Sequence, residues 1–156
     1  MSDTDEGTGV LGFPSVKALL EFNRSIIAEF RANGGVCGGP FEGNPMILLT
    51  MTGAKSGREL TTPLTYCPDG DNDDACIIFA SAGGAPKHPN WYHNLMANQN
   101  VTIERGTETY TAKAVFTAGA DRQAAFERMA QAMPRFAEYQ EKTEREIPVI
   151  RLVRKG

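Results

Sequence analysis

Short β-prone segments joined by brief connections dominate this chain. Met46–Thr52, Leu60–Cys67, Ala75–Ala80, Val101–Arg105, Thr107–Phe116 and Ile147–Val153 each mix apolar, aromatic or β-branched residues over strand-like lengths. GAKSGRE joins the first two, and Gly106 alone separates the fourth from the fifth. A parallel pairing needs a dozen or more residues to return, so such connections are hairpins. The pattern predicts an α+β fold of six to seven mostly antiparallel strands with inserted helices, built around a small barrel, rather than alternating βαβ units. The first three segments read as a meander.

At 156 residues the chain suits one domain that buries roughly 68–70% of its unfolded surface, so it needs no metal or disulfide staple. No apolar run approaches the roughly 20 residues that span a bilayer. Residues 1–14, acidic at the start, lack the basic segment and apolar run of a secretory signal and read as a disordered leader on a cytoplasmic protein, ahead of one domain over 15–156. Cys37, Cys67 and Cys76 are odd in number and show no C-x-x-C spacing, which fits reduced, partly buried thiols. A net charge of -3 provides no global field for nucleic acid. Anions must then be caught locally, and two cation clusters offer this: Lys55 with Arg58, and Lys87 with His88. Each cluster alone suits solvated surface as well, whereas the two together suit one long, multiply charged ligand.

Ser15 is placed to cap a helix running to about Asn33, with Leu19, Phe22, Ile26, Ile27 and Phe30 near helical spacing and Gly34–Gly35 at its end. Its polar face mixes Glu21, Arg24, Glu29 and Arg31, without the basic bias of a helix that binds anionic lipid; packing on the domain or in a homodimer fits better. Further helices are expected over His88–Asn98, Asp121–Met133 and Phe136–Thr143, with Pro134 breaking the last two apart.

Several short motifs fail on inspection. Gly7, Gly9 and Gly12 spell a dinucleotide fingerprint with no strand before it. A phosphate loop at Gly53–Ser56 would need glycines where Ala54 and Leu49 stand, although Lys55, Ser56 and Arg58 remain good donors for a phosphate or carboxylate. Asp69, Asp71, Asp73 and Asp74 suggest a calcium loop, but its sixth and twelfth positions are Asp74 and Ala80, so a solvated hairpin turn fits better. His88 and His93 are the only histidines and have no partners at metal-ligand spacing. There is no G-x-S-x-G elbow. The span Ala80–Val101 is the most suggestive: strand end, Gly83–Gly84 turn, cations, then a helix carrying Trp91, Tyr92, Asn94 and Asn98. An ordinary strand-to-helix turn would look the same. The two asparagines lie one helical turn apart, suited either to a ligand edge or to bonds with neighbouring backbone.

Three blocks, TMTGAKSGRELTTPLTY at Thr50–Tyr66, ASAGGAPKHPNWYHNLMANQNV at Ala80–Val101 and YQEKTEREIPV at Tyr139–Val149, resemble the deazaflavin-dependent nitroreductase family of actinobacteria. The resemblance covers most of the chain from about Phe41. It implies a split β-barrel that uses reduced coenzyme F420, an elongated molecule with a deazaflavin head, a phosphodiester and a glutamate tail. By match to the family's motifs, Ala54, Lys55, Ser56 and Arg58 with Leu60, Thr61, Thr62, Pro63, Leu64 and Thr65 line the coenzyme groove. Ala80, Ser81 and Ala82, Lys87, and Asn90, Trp91, Tyr92, His93 and Asn94 lie along the coenzyme. Quinones, activated enones and nitroaromatics are the acceptors the resemblance implies.

The chain departs from the family pattern in two places. Ala82 stands where the family often has lysine. Where a member's pocket carries three tyrosines, the matching residues here are Met133, Phe136 and Tyr139, while Tyr66 falls one residue past a further pocket tyrosine and Thr65 takes its place. Tyr66, Met133, Phe136 and Tyr139 are therefore the expected substrate pocket, with Tyr139 or bulk water as proton donor. The departures leave two alternatives to a reductase of this kind: a non-catalytic deazaflavin carrier or sensor, and an FMN-dependent oxidoreductase on the same barrel.

Overall fold

A computed structural model describes residues 15–70, 72–81 and 88–155. The leader, Gly83–Gly84, Ala82, Lys87 and Asp71 all lie outside the described residues.

Helix α1 (Val16–Ala32) starts where Ser15 Oγ accepts the Ala18 N–H at 3.1 Å. It ends at Gly34, whose φ of +63° lets the Gly35 N–H reach the Phe30 carbonyl at 2.8 Å. Phe22, Ile26, Ile27 and Phe30 pack with Cys37, Phe41, Met46 and Leu48 into one apolar cluster, so α1 belongs to the domain's own core. Seven strands follow: β1 (Met46–Thr52), β2 (Glu59–Thr65), β3 (Cys67–Asp69), β4 (Asn72–Phe79), β5 (Asn100–Arg105), β6 (Glu108–Phe116) and β7 (Val149–Arg154). Helix α2 (Asn90–Ala97) precedes β5, and α3 (Gly119–Ala132) and α4 (Arg135–Glu141) lie between β6 and β7.

The strand order is β2-β1-β5-β6-β7-β4-β3, with every neighbour antiparallel. This order closes the sheet. A flat sheet would hold its outer strands roughly 29 Å apart at about 4.8 Å per strand, yet Thr65 of β2 and Cys67 of β3 are separated by one residue, at most about 7 Å of chain. The sheet therefore rolls into a split barrel, as the resemblance implied.

The segment Leu60–Cys67, expected as one strand, is two. Pro45 has no N–H to extend the β1–β2 ladder; its carbonyl takes the Tyr66 N–H at 3.1 Å, and the chain passes to the opposite edge. The meander is corrected with it: β1 and β2 form one hairpin, β3 and β4 another, and β4 pairs with β7, which begins 70 residues after β4 ends. The last strand begins at Val149 rather than Ile147 because Pro148 cannot join a ladder as donor.

Two cores share β4. Cys76 and Ile78 face the barrel interior with Ile47, Leu49, Ile103, Ala112, Ile150 and Leu152. Ile77 and Phe79 face outward, where Ala125 and Met129 of α3 and Phe136 of α4 cover them. Burial on both faces explains why the second half of β4, from Ala75, reads as an unbroken apolar run. Asp69 is no solvated turn: its carboxylate accepts Arg128 Nη1 at 2.8 Å and Arg151 Nε at 2.6 Å, and Arg151 also bridges to Asp121.

Candidate functional site

The β1–β2 loop closes on its own backbone. Gly53 N–H donates to the Arg58 carbonyl at 2.8 Å, and Gly57, at φ +71°, donates to the Gly53 carbonyl at 3.0 Å. Ser56 Oγ accepts the Arg58 N–H at 3.1 Å. With the main chain committed inward, the side chains of Lys55, Ser56 and Arg58 stand exposed. Among the described residues neither Lys55 nor Arg58 makes an ion pair. The loop is braced from α2: the Ala54 N–H donates to Asn94 Oδ1 at 2.9 Å, and Asn94 is 2% exposed. Asn94 thus serves backbone rather than offering a free polar edge. Asn98 behaves likewise, its Oδ1 accepting the Asn100 N–H at 3.0 Å.

Along β2 the expected coenzyme residues divide between two faces. Leu60 and Leu64 pack on the barrel interior, as do Tyr66, Trp91 and Tyr92. Thr61 and Thr65 point the other way: Thr61 Oγ1 pairs with Thr50 Oγ1 at 2.8 Å and Thr65 Oγ1 meets Met46 Sδ at 3.2 Å. Thr62 and Pro63 are half-buried. Among the described residues β2 pairs with β1 alone, so one of its backbone edges has no strand partner there. His93 is exposed. Asn90, at the first turn of α2, holds a buried Nδ2 with no hydrogen-bond partner among the described residues.

At the end of β4 the chain leaves the sheet. Ala80 N–H makes a last bond to the Pro148 carbonyl at 3.0 Å, and beyond it Arg145 takes over. Its Nη1 donates to the Ala80 carbonyl at 3.1 Å and its Nη2 to the Ser81 carbonyl at 2.8 Å. Nη1 also lies 3.0 Å from His88 Nδ1. The His88 ring sits 4.5 Å from Tyr92, and burial, with Arg145 and His93 nearby, pushes the His88 pKa below its ordinary value.

The expected substrate-pocket residues do not form one wall. Tyr66 is in the barrel interior, its hydroxyl accepting Arg105 Nε at 3.2 Å while the guanidinium carbon stands 4.7 Å over its ring. Met133, Phe136 and Tyr139 belong to the outer core under α3 and α4. Phe136 is 7% exposed, edge-on to Phe79 at 5.4 Å and to Tyr139 at 5.5 Å. Tyr139 is half-buried, with Lys142 Nζ 5.7 Å from its ring. Two surface hollows, of about 160 Å³ beside Thr52, Glu59 and Lys155 and about 250 Å³ beside Arg31, Glu104 and Thr107, include none of these residues.

Sequence reading passed over Arg105 and Arg145. The only signal for Arg145 was its place in the YQEKTEREIPV block, where one arginine among acids looks like surface charge.

A family model described as F420H(2)-dependent quinone reductase matches residues 22–154. The F420H(2)-dependent quinone reductase Rv1261c of Mycobacterium tuberculosis is 40% identical over 136 residues, spanning 82% of this chain and 87% of its own length. Among solved structures, an F420-H2 dependent reductase, FDR-A, shares 38% identity at a TM-score of 0.62 and covers 69% of this chain and 93% of itself. Another, described as a domain-swapped dimer, shares 33% identity at a TM-score of 0.64 over 88% of this chain and 99% of itself.

Proposed function

The chain belongs to the F420H(2)-dependent quinone reductase family, and on that premise we propose that the site between the β1–β2 loop, β2 and α2 holds reduced coenzyme F420 for the reduction of a quinone. The protein is an oxidoreductase of the F420H2-dependent type. The observation that carries the assignment of the site is the loop itself: closed by its own backbone bonds, braced by buried Asn94, with Lys55 and Arg58 exposed and, among the described residues, in no ion pair. A second feature fits the same group. The orphaned Asn90 Nδ2 is a buried donor awaiting an acceptor such as a coenzyme carbonyl.

In this reading Lys55 and Arg58 hold the phosphodiester and the carboxylates of the tail, with charge-assisted bonds that weaken in salt. The unpaired edge of β2, with Leu60 to Thr65, flanks the long axis of the molecule. Ala80, Ser81 and Asn90 to Asn94 border its head. When bound, the reduced deazaflavin supplies a hydride from the carbon that replaces the flavin's reactive nitrogen. The hydride brings the quinone two electrons and one proton equivalent, and a second proton completes the hydroquinone. Tyr139, half-buried on α4, or water beside it, supplies that proton; Phe136 packs behind it in the outer core, and Tyr66, held by Arg105 inside the barrel, stands apart from it.

The test is a titration of the purified protein with coenzyme F420 and with FMN, followed by ligand fluorescence. Menadione is then added to protein loaded with the reduced deazaflavin. Tight F420 binding with menadione-dependent oxidation supports the reading. Binding without oxidation marks a carrier, and preference for FMN overturns the coenzyme assignment. The pair Lys55→Ala and Arg58→Ala is expected to weaken F420 binding most at low salt; equal affinity would remove both residues from the site.

A further inference from the structure

We propose that Arg145 is a positioning residue of the coenzyme site, fixing the strand end at Ser81 and the entry to α2 through His88. The proposal rests on the coenzyme reading above.

The β4–β7 pairing runs out at Phe79 opposite Val149, with one more bond from Ala80 N–H to Pro148. The chain beyond is still buried, Ala80 at 0% and Ser81 at 8% exposure. Buried carbonyls must find donors, and none is left in the ladder at this point. One guanidinium supplies both, through Nη1 to Ala80 and Nη2 to Ser81. Only a planar fork makes such parallel bonds, so lysine cannot take its place without losing one.

The same Nη1 lies 3.0 Å from His88 Nδ1. Arginine can only donate, so Nδ1 must accept and the ring proton sits on Nε2. Arg145 therefore grips the chain at Ser81 and again at His88, seven residues on and two before α2 begins. Both grips adjoin expected coenzyme residues. The His88 ring also rests on Tyr92 of α2.

Arg145 is itself held. Gln140 Nε2 donates to the Arg145 carbonyl at 2.8 Å, and Gln140 Oε1 accepts the Ile147 N–H at 2.9 Å and Arg122 Nη2 at 3.1 Å. Arg122 is 6% exposed and donates to the Ile147 carbonyl at 2.7 Å. The guanidinium is thus carried by a bonded frame running from α3 through α4.

An accepting Nδ1 makes the grip sensitive to acid. Among the described residues the titratable groups facing His88 are Arg145, from the segment before β7, and Tyr92 and His93 from α2. Protonating His88 sets an imidazolium against Arg145 and removes the acceptor. The neutral ring is the form that builds the site, so coenzyme affinity is full through the ordinary histidine range and falls as pH drops through the His88 pKa, which burial and Arg145 hold below that range.

The experiment titrates the full chain with coenzyme F420 between about pH 5 and pH 8, comparing wild type with Arg145→Met, Arg145→Lys and His88→Asn. Circular dichroism reports folding. Near pH 7.5, Arg145→Met is expected to lose about tenfold in affinity, the scale of one charged hydrogen bond, and Arg145→Lys to recover part of that loss. Wild type should weaken toward acid, while His88→Asn, which keeps an acceptor near the Nδ1 position but cannot titrate, should not. An independent readout on the apo protein is the His88 imidazole titration by NMR, expected to move up toward the ordinary value in Arg145→Met. Wild-type affinity and an unchanged acid limb in Arg145→Met overturn the proposal. If that variant does not fold, a wild-type acid limb in His88→Asn overturns it instead. Failure of wild type to bind F420 at any pH sinks the coenzyme reading and the role assigned here with it, while the NMR shift still decides the Arg145–His88 contact.

Discussion

Replacing Asn94 by alanine separates two roles that a polar residue beside a ligand groove can play. In the structure its Oδ1 accepts the Ala54 N–H at 2.9 Å across 40 residues of sequence, and the side chain is 2% exposed. Truncation removes one hydrogen bond, worth about 0.5–1.5 kcal/mol net. It also opens a small buried gap, whose cost is of the order of one lost methylene, about 0.8 kcal/mol. Ala54 is exposed, so water can reach its freed N–H and the full desolvation penalty does not apply. The sum is about 1–2 kcal/mol without any ligand present. At a urea slope of roughly 2 kcal/mol/M this lowers the unfolding midpoint by about 0.5–1 M. The local signature is sharper: exchange of the Ala54 amide should accelerate by about 5- to 30-fold, the factor corresponding to that energy. Coenzyme affinity should also fall, because the loop carrying Lys55 and Arg58 loses its brace. Unchanged Ala54 exchange and an unchanged midpoint in the apo variant, together with weakened F420 binding, would refute the scaffold reasoning and make Asn94 a direct ligand contact.

Three further outcomes follow from the packing and the site. Burial pushes the Cys76 thiol up to about 12, so at pH 8 only about one molecule in ten thousand carries the thiolate; a disulfide reagent should label Cys76 at the global unfolding rate, and rapid native-state labelling would contradict its place in the barrel. Gly35→Ala puts a Cβ 2.7 Å from the Gly106 Cα at a φ of +94° and should cost about 2–4 kcal/mol. Gly43→Ala, at φ +81° with nothing within 4 Å, should cost only about 1 kcal/mol, and equal losses by thermal melting would dismiss the close approach of α1 to the β5–β6 turn. Tyr139→Phe should lower kcat with menadione by about tenfold to a hundredfold at unchanged F420 affinity, and an unaltered kcat would leave water as the proton donor.

What could be read in the sequence follows the range of the interaction concerned. Helix α1 was legible because its cap, its apolar spacing and its terminating glycine each act over no more than about five residues. The β5–β6 hairpin was legible for the same reason, its register set by the turn at Gly106. The switch at Tyr66 was not, since it depends on β4 finding β7 and on Pro45 ending a ladder from the other strand. Asp69 shows the same limit: among four acids near a glycine it reads as solvated, yet its partners Arg128 and Arg151 are 59 and 82 residues away. The resemblance supplied the barrel and the coenzyme at once, because long blocks carry the record of such distant pairings that spacing alone does not.

The site divides along the same line. Lys55 and Arg58 were identifiable because exposed cations act by their own charge, whatever lies behind them. Asn94 and Arg145 act through other residues, and their roles depend on which backbone groups the fold leaves unsatisfied: a loop N–H at Ala54 and two carbonyls at the end of β4. Those groups become orphans only once the barrel has closed and β4 has left its ladder. A split barrel leaves β2 at a sheet edge and β4 ending short of its neighbour, and side chains finish the hydrogen bonding at such strand ends. Substitutions that tune coenzyme binding are therefore expected at these finishing residues as much as at the cations proposed to meet the ligand.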